Sequence, residues 1–279
     1  MPTVRDFEAF YKTRAIEKLP TSDNPENEAV VSKAITELRM QDGHLLVDFG
    51  CGDGYFIDAI LRRAPGVRGI GVDLVVHEAW RHRSDRGRFI VSPALPLPIE
   101  SGTVDAIFCS QVIEHVPHPE NVLHEFHRIL KVGGRAWIAT PNSYSDVLPL
   151  FRPLQRRIDQ AEGHLRHFSA ADFAFYAQRY GFSIVHLRYD LFFALFLYYN
   201  FVAYNARLKG VLIGMVAPEL QPPAHPSSVL PTRRTGLAKR LAFSVLRFLR
   251  LVDYPFRYFP GNQVIECTLI KRVAQPSDS

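Results

Sequence analysis

Leu45-Leu46-Val47-Asp48-Phe49-Gly50-Cys51-Gly52-Asp53-Gly54-Tyr55-Phe56 decides how the rest of the chain is read. The apolar run Leu45–Val47, with its β-branched member, predicts a short strand covered on both faces. Gly50, Gly52 and Gly54 then form a turn that can take backbone angles closed to other residues, so a ligand can lie against the main chain. A helix from Tyr55 to about Ala64 follows and aims its unpaired N–H groups at that ligand. The turn is G-x-G-x-G. It lacks the third glycine of the dinucleotide fingerprint, where Tyr55 or Phe56 would have to stand in. Asp48 places a carboxylate just ahead of the glycines, within use of a cationic ligand group or a bound water.

Working outward, Asn24-Pro25 reads as a cap and first-turn proline for a helix to about Met40, stopping at Asp42-Gly43. Downstream, Val67–Leu74 predicts a second strand that ends on Asp73, 25 residues after Asp48. A strand-end carboxylate at that distance from a glycine turn can accept hydrogen bonds from both ribose hydroxyls; the competing reading is a turn-forming aspartate. Helical residues around His77–Arg83 precede a third strand, Arg88–Val91, and the proline-rich connection Ser92–Pro98. The fourth strand, Val104–Ser110, runs into Gln111-Val112-Ile113-Glu114-His115. A helix from about Pro119 to Lys131 is expected to end at Gly133-Gly134, before a fifth strand Arg135–Thr140. Residues 143–163 read as an irregular connection, Ser169 as the N-cap of a helix Ala170–Tyr180, Phe182–Arg188 as a sixth strand and Gln263–Ile270 as the last. Alternating strands and helices predict a mostly parallel sheet with helices on both faces. The glycine turn, Asp73, Ser92 and Ser110–His115 all fall at carboxyl ends of strands, where such sheets bind ligands.

Four ordered stretches carry a resemblance: Val47–Gly54, Gly71–Leu74, Asp105–Val116 and Leu130–Gly134. They resemble class I S-adenosylmethionine-dependent methyltransferases, small-molecule branch, similar to ubiquinone-biosynthesis O-methyltransferases, over about residues 40–190 plus the final strand. The resemblance implies an α/β, Rossmann-like sheet of seven strands with a helical insertion before the last. It also implies S-adenosyl-L-methionine as cofactor. Asp48 and the turn Gly50, Cys51, Gly52 and Gly54 would hold the methionine portion, and Asp73 the ribose. Leu74 would flank the adenine, with Ser92 and Ala94 on its other side and Ser110 and Gln111 closing the cofactor site. Relatives place an acidic residue beside the adenine amino group, where this chain has Ser92-Pro93-Ala94.

A sulfonium methyl needs positioning more than acid–base help, and a general base matters when the acceptor is a hydroxyl. His115, His164, His167 and Glu114 are the candidates for that base. Some relatives bind a metal through E-x-x-E-H and a later histidine. Here the first position is Gln111, a poor substitute for a hard carboxylate ligand, so the site is read without a metal, with Glu114 and His115 shaping the loop.

At 279 residues and 47% hydrophobic content the chain suits a single methyltransferase domain, with 1–43 as an N-terminal helical cap. The three cysteines have no metal or redox spacing and the N-terminus no apolar signal segment, which points to a cytoplasmic setting. Residues 191–261 stand apart. Leu191–Tyr204 holds seven aromatic residues, and residues 191–262 hold nine Lys/Arg against Glu219 and Asp253. Leu237–Val252 fits a helix with Leu237, Leu241, Val245, Phe248, Leu249 and Val252 on one side and Lys239, Arg240, Arg247 and Arg250 on the other. Two readings stand: a lid whose apolar face packs on the core, or a greasy cationic surface for an anionic membrane, at its inner face, or for a lipid-like acceptor. No RNA-binding module accompanies the basic residues, which argues against nucleic acid. The functional expectation is methyl transfer to a small-molecule or lipid-linked acceptor, at oxygen. Its rivals are a catalytically silent cofactor-binding protein and an NAD(P)-dependent oxidoreductase.

Overall fold

The computed structural model describes residues 25–83, 85–144, 147, 149, 152–190, 244–245, 247–249, 251–256, 258 and 262–273. Helix α1 (Pro25–Leu38) leads into β1 (Leu45–Phe49), α2 (Tyr55–Arg63), β2 (Arg68–Asp73), β3 (Gly87–Val91) and β4 (Val104–Ser110). Helix α3 (Pro119–Ile129), β5 (Leu130–Pro141), α4 (Arg152–Glu162), α5 (Ala170–Arg179), β6 (Phe182–Asp190) and β7 (Val264–Lys271) complete the order. The seven strands form one sheet in the order β3-β2-β1-β4-β5-β7-β6. Neighbours from β3 to β5 are parallel, and β7 runs antiparallel to both β5 and β6.

Period-two alternation explains the double-sided core. Leu46 is buried in one cluster with Val31, Leu38, Ile57, Phe108 and Trp137. Its neighbour Val47 is buried in the other with Ile107, Leu123, Phe126 and Phe173. Each side of the sheet is therefore dry, and each fully buried large apolar side chain contributes about 1.5–3 kcal/mol. Helix α1 is also tied to the far end of the sheet by polar contacts: buried Glu37 accepts from His186, Arg188 and Thr268. Lys33 reaches both Asp190 and Glu266.

Two expectations need correction. Residues 143–163 are not wholly irregular, because Arg152–Glu162 is helical. Its polar composition hid it, yet Gln155 and Asp159, four apart, share one face, and Gln155 is buried. Gly133-Gly134 do not end a helix. That helix stops at Ile129, and the glycines lie in a bulge of β5, where Val104 pairs with Leu130 but Ala106 with Arg135. The helical residues expected around His77–Arg83 are a 3-10 helix, Glu78–His82. Of the expected cap at 1–43, residues 1–24 lie outside the described residues, as does most of the insertion at 191–261.

Candidate functional site

The chain crosses from the β3 side of the sheet to the β5 side between β1 and β4, and the carboxyl ends of those two strands face one crevice. The glycine turn occupies it. Gly50, Gly52 and Gly54 all have positive φ, but they face different surroundings. A Cβ on Gly50 would strike the Val112 side chain, and one on Gly54 would meet Phe89 at 2.7 Å. A Cβ on Gly52 would meet nothing within 4 Å among the described residues, so Gly52 is the open side on which a ligand can lie.

Asp48 sits beneath this turn at 2% exposure, and its Oδ2 has no hydrogen-bond partner among the described residues. Burial, then the neighbouring charges of Asp73 and Asp53, hold its carboxyl well above the usual range against a hydrogen bond from the Ile57 N–H. A cationic group placed there would reverse that balance. Asp73 is buried too. Its Oδ2 accepts from the Gly52 N–H at 2.7 Å and its Oδ1 from those of Leu74 and Val75. The turn-forming role is thus present, and the same bonds fix the carboxylate at the end of β2. Cys51 is buried, and burial, reinforced by Asp48 and Asp73, pushes its thiol up, out of nucleophilic reach. Ser92 donates its hydroxyl to the Ala94 carbonyl and its N–H to the Asp73 carbonyl, which shapes the connection expected beside adenine.

Two residues that pattern reading passed over hold the turn from outside. Trp80 stacks on Phe89 and donates Nε1–H to the Gly52 carbonyl at 2.8 Å. Arg83 donates to the Asp53 carbonyl at 3.0 Å and pairs with the Asp53 carboxylate. A tryptophan and an arginine in a polar stretch carry no periodic signal, so only the fold shows their role.

Across the crevice, Ser110 ends β4 and Gln111 takes a φ of +55°, a strained angle for a side-chain-bearing residue, its N–H bonded to the Ala139 carbonyl. Glu114 is fully buried and accepts from the Thr140 hydroxyl at 3.0 Å. The segment 163–168 is docked on this loop. The Leu165 N–H meets the Glu114 carbonyl, Arg166 reaches the Pro117 carbonyl, and Phe168 bridges to Asn142 at the end of β5. The His115 and His164 rings meet edge to face at 4.9 Å, and Glu114, His115 and His164 present ligand atoms within 4.8 Å of one another. Asp159, absent from the sequence reading, lies behind them. Its Oδ1 is 2.8 Å from both His164 Nδ1 and His167 Nε2, and Tyr144 donates its hydroxyl to Oδ2. Burial alone would raise the Asp159 carboxyl, but the hydrogen bonds from His164 and His167 outweigh it and hold it below the usual range.

An open parallel sheet with a glycine turn at its switch point and a strand-end aspartate after β2 defines a Rossmann-like fold of the class I methyltransferase kind. The chain belongs to the methyltransferase-domain family, whose sequence profile matches residues 24–187. It is 31% identical over 106 residues to a ubiquinone biosynthesis O-methyltransferase of Cupriavidus pinatubonensis, a match covering 36% of this chain and 42% of that enzyme. The chain thus spans less than half the length of that curated relative. Among solved structures it resembles the geranyl diphosphate C-methyltransferase of Streptomyces coelicolor, with TM-score 0.56 and 18% identity over 88% of this chain and 79% of that one. It also resembles the [4+2]-cyclase SpnF, with TM-score 0.55 and 18% identity over 88% of this chain and 81% of that one. The family displaces the oxidoreductase reading.

Proposed function

We propose that the protein transfers a methyl group from S-adenosylmethionine to a hydroxyl of a small or lipid-linked acceptor. Its residues fit that cofactor: Asp48 offers an unpaired buried carboxylate for an ammonium group, Gly52 an open backbone face, and Asp73 a fixed strand-end carboxylate. Leu74 and the turn at Ser92–Ala94 flank the place of the adenine, and Ser110 and Gln111 line the β4 end. When bound, S-adenosylmethionine supplies an electrophilic methyl carbon on sulfur. The chain's own part is to hold the two reactants in line and to take a proton from the acceptor.

The observation that carries this reading is the seat of the Glu114-His115 loop against the glycine turn. Gly50 packs on Val112 so closely that no side chain fits between them, and His164 is held on that loop through Leu165. That seat supports reading a base beside the donor site. Named relatives include oxygen and carbon methyltransferases, and paired histidines favour oxygen, because a hydroxyl must lose a proton. The test is turnover of methyl-labelled S-adenosylmethionine with a panel of catechols and short prenylated phenols. O-methylated product from any of them supports the reading. Tight S-adenosylhomocysteine binding without product across phenol, amine and diphosphate panels would favour the silent binder.

We further propose that the insertion meets an anionic membrane surface. Val245, Phe248 and Val252, expected on the packed face of its last helix, are 42%, 63% and 44% exposed, and Leu251 is exposed beside them. No helix among the described residues is long and apolar enough to cross a membrane.

A further inference from the structure

His164 and His115 both reach the loop after β4, yet their second ring nitrogens are held differently. His115 Nδ1 lies 3.3 Å from the Gly163 carbonyl, a long bond to a neutral acceptor. His164 Nδ1 lies 2.8 Å from Asp159 Oδ1. A carboxylate can only accept, so the His164 proton must sit on Nδ1, the tautomer a free histidine side chain disfavours, and the lone pair is left on Nε2. That nitrogen accepts no hydrogen bond among the described residues.

Asp159 is itself held by three donors. His167 faces an acceptor at each nitrogen, Asp159 Oδ1 at 2.8 Å and the Asn142 carbonyl at 2.9 Å. Its ring stacks on Tyr144 at 4.4 Å, and the Tyr144 hydroxyl donates to Asp159 Oδ2. Helix α4 brings the carboxylate, the end of β5 brings Asn142 and Tyr144, and the 163–168 segment brings both histidines. A carboxylate held this way cannot turn away from His164.

We propose that Asp159 is a positioning residue that fixes His164 as the Nδ1–H tautomer, so that His164 Nε2, and not His115, is the base for the acceptor hydroxyl. This rests on the hydroxyl-methylation reading above. In the step, the acceptor oxygen forms the new bond to carbon, the carbon–sulfur pair stays on sulfur, and the hydroxyl proton ends on His164 Nε2. Asp159 keeps its charge throughout and pairs with the imidazolium that results.

The test reads the tautomer directly. Long-range proton–nitrogen spectra of uniformly nitrogen-labelled protein at alkaline pH, with His164 assigned by the His164→Gln difference, are expected to show Nδ1 protonated and Nε2 bare. In Asp159→Ala the proton should move to Nε2. Turnover of a catechol probe should fall in kcat by roughly tenfold or more, a part of the 10²–10⁴ that a general base supplies, with acceptor KM and S-adenosylhomocysteine affinity unchanged. The circular dichroism of Asp159→Ala serves as the folding control, and the wild-type tautomer tests the proposal without any variant. A wild-type His164 protonated on Nε2, or a tautomer unmoved in Asp159→Ala, overturns the proposal. So does activity lost on dialysis against EDTA and restored by a divalent cation, which would make these groups ligands. Failure of the parent reading looks different: no methylated hydroxyl from the wild-type protein while the Nδ1–H signal stands.

Discussion

Asp48→Asn is expected to make the empty protein more stable and the cofactor site useless. Asp48 is 2% exposed, its Oδ2 lacks a partner among the described residues, and burial with Asp73 and Asp53 nearby raises its carboxyl well above the ordinary range. A carboxyl so raised stabilises the fold below its unfolded value of about 3.9 and costs stability progressively as pH climbs above that. Asparagine keeps the shape, can accept from the Ile57 N–H and carries no charge. Leaving a buried polar group unsatisfied costs about 1–3 kcal/mol, more when charged, so relief of the charge should outweigh the new amide's own unmet donors. At roughly 2–4 °C per kcal/mol for a chain of this size, the melting temperature should rise by a few degrees at pH 8 and by less at pH 5. Truncating one partner of a buried charge pair costs roughly 2–5 kcal/mol, so S-adenosylhomocysteine affinity should fall at least about 30-fold. Differential scanning fluorimetry across pH reads the first half and titration calorimetry the second. A variant that binds S-adenosylhomocysteine within threefold of wild type refutes the assignment of Asp48 to the donor's ammonium group. One that melts lower at pH 8 refutes the account of its burial.

Gly50→Ala and Gly52→Ala should separate packing from binding. The first must displace Val112 and is expected to unfold markedly earlier in urea. The second meets open space at φ +52°, costs roughly 1–2 kcal/mol of backbone strain, and should lose most of its S-adenosylhomocysteine affinity in calorimetry. Glu37 has its carboxyl lowered: burial raises it, but hydrogen bonds from His186 and Thr268 and the charges of Arg188 and His186 prevail. Its contribution is therefore present above the unfolded value of about 4.3 and lost as pH falls through the lower folded one. Glu37→Gln should lower the melting temperature at pH 7 and converge on wild type near pH 3. In vesicle co-sedimentation at low salt, the protein should pellet with anionic liposomes and leave neutral ones; equal recovery in the supernatant from both would end the membrane reading of the insertion.

The cofactor half of the site was legible in the sequence because its chemistry is local. Gly50–Gly54, Asp73 and Ser110 sit at strand ends, and strands declare themselves through runs such as Leu45–Val47 and Ala106–Cys109. The proton-handling half was legible only as a set of loose histidines. His164 reaches His115 through the bonds of the Leu165 N–H to the Glu114 carbonyl and of the Arg166 side chain to the Pro117 carbonyl, contacts some fifty residues apart in sequence that no spacing rule encodes. Asp159 was lost with its helix, since three arginines and a proline among the eleven residues Arg152–Glu162 leave only Leu154, Ile158 and Ala161 to mark a helical period. Trp80 and Arg83 were invisible for the same reason: each acts on a carbonyl of the glycine turn, and a carbonyl leaves no mark in sequence.

The position of β7 has a consequence for how the chain comes off the ribosome. Strand β6 pairs with β7 and β7 with β5, so residues 182–190 have no place in the sheet until 264–271 emerge. Until then the edge of β5 stays open and β6 is unpaired, beside a stretch rich in aromatic residues. Open strand edges recruit other chains, and late non-local pairing slows closure. A chain stopped just before Val264 should therefore accumulate as aggregate rather than as a smaller folded enzyme, even though it would retain the whole glycine turn and both histidines.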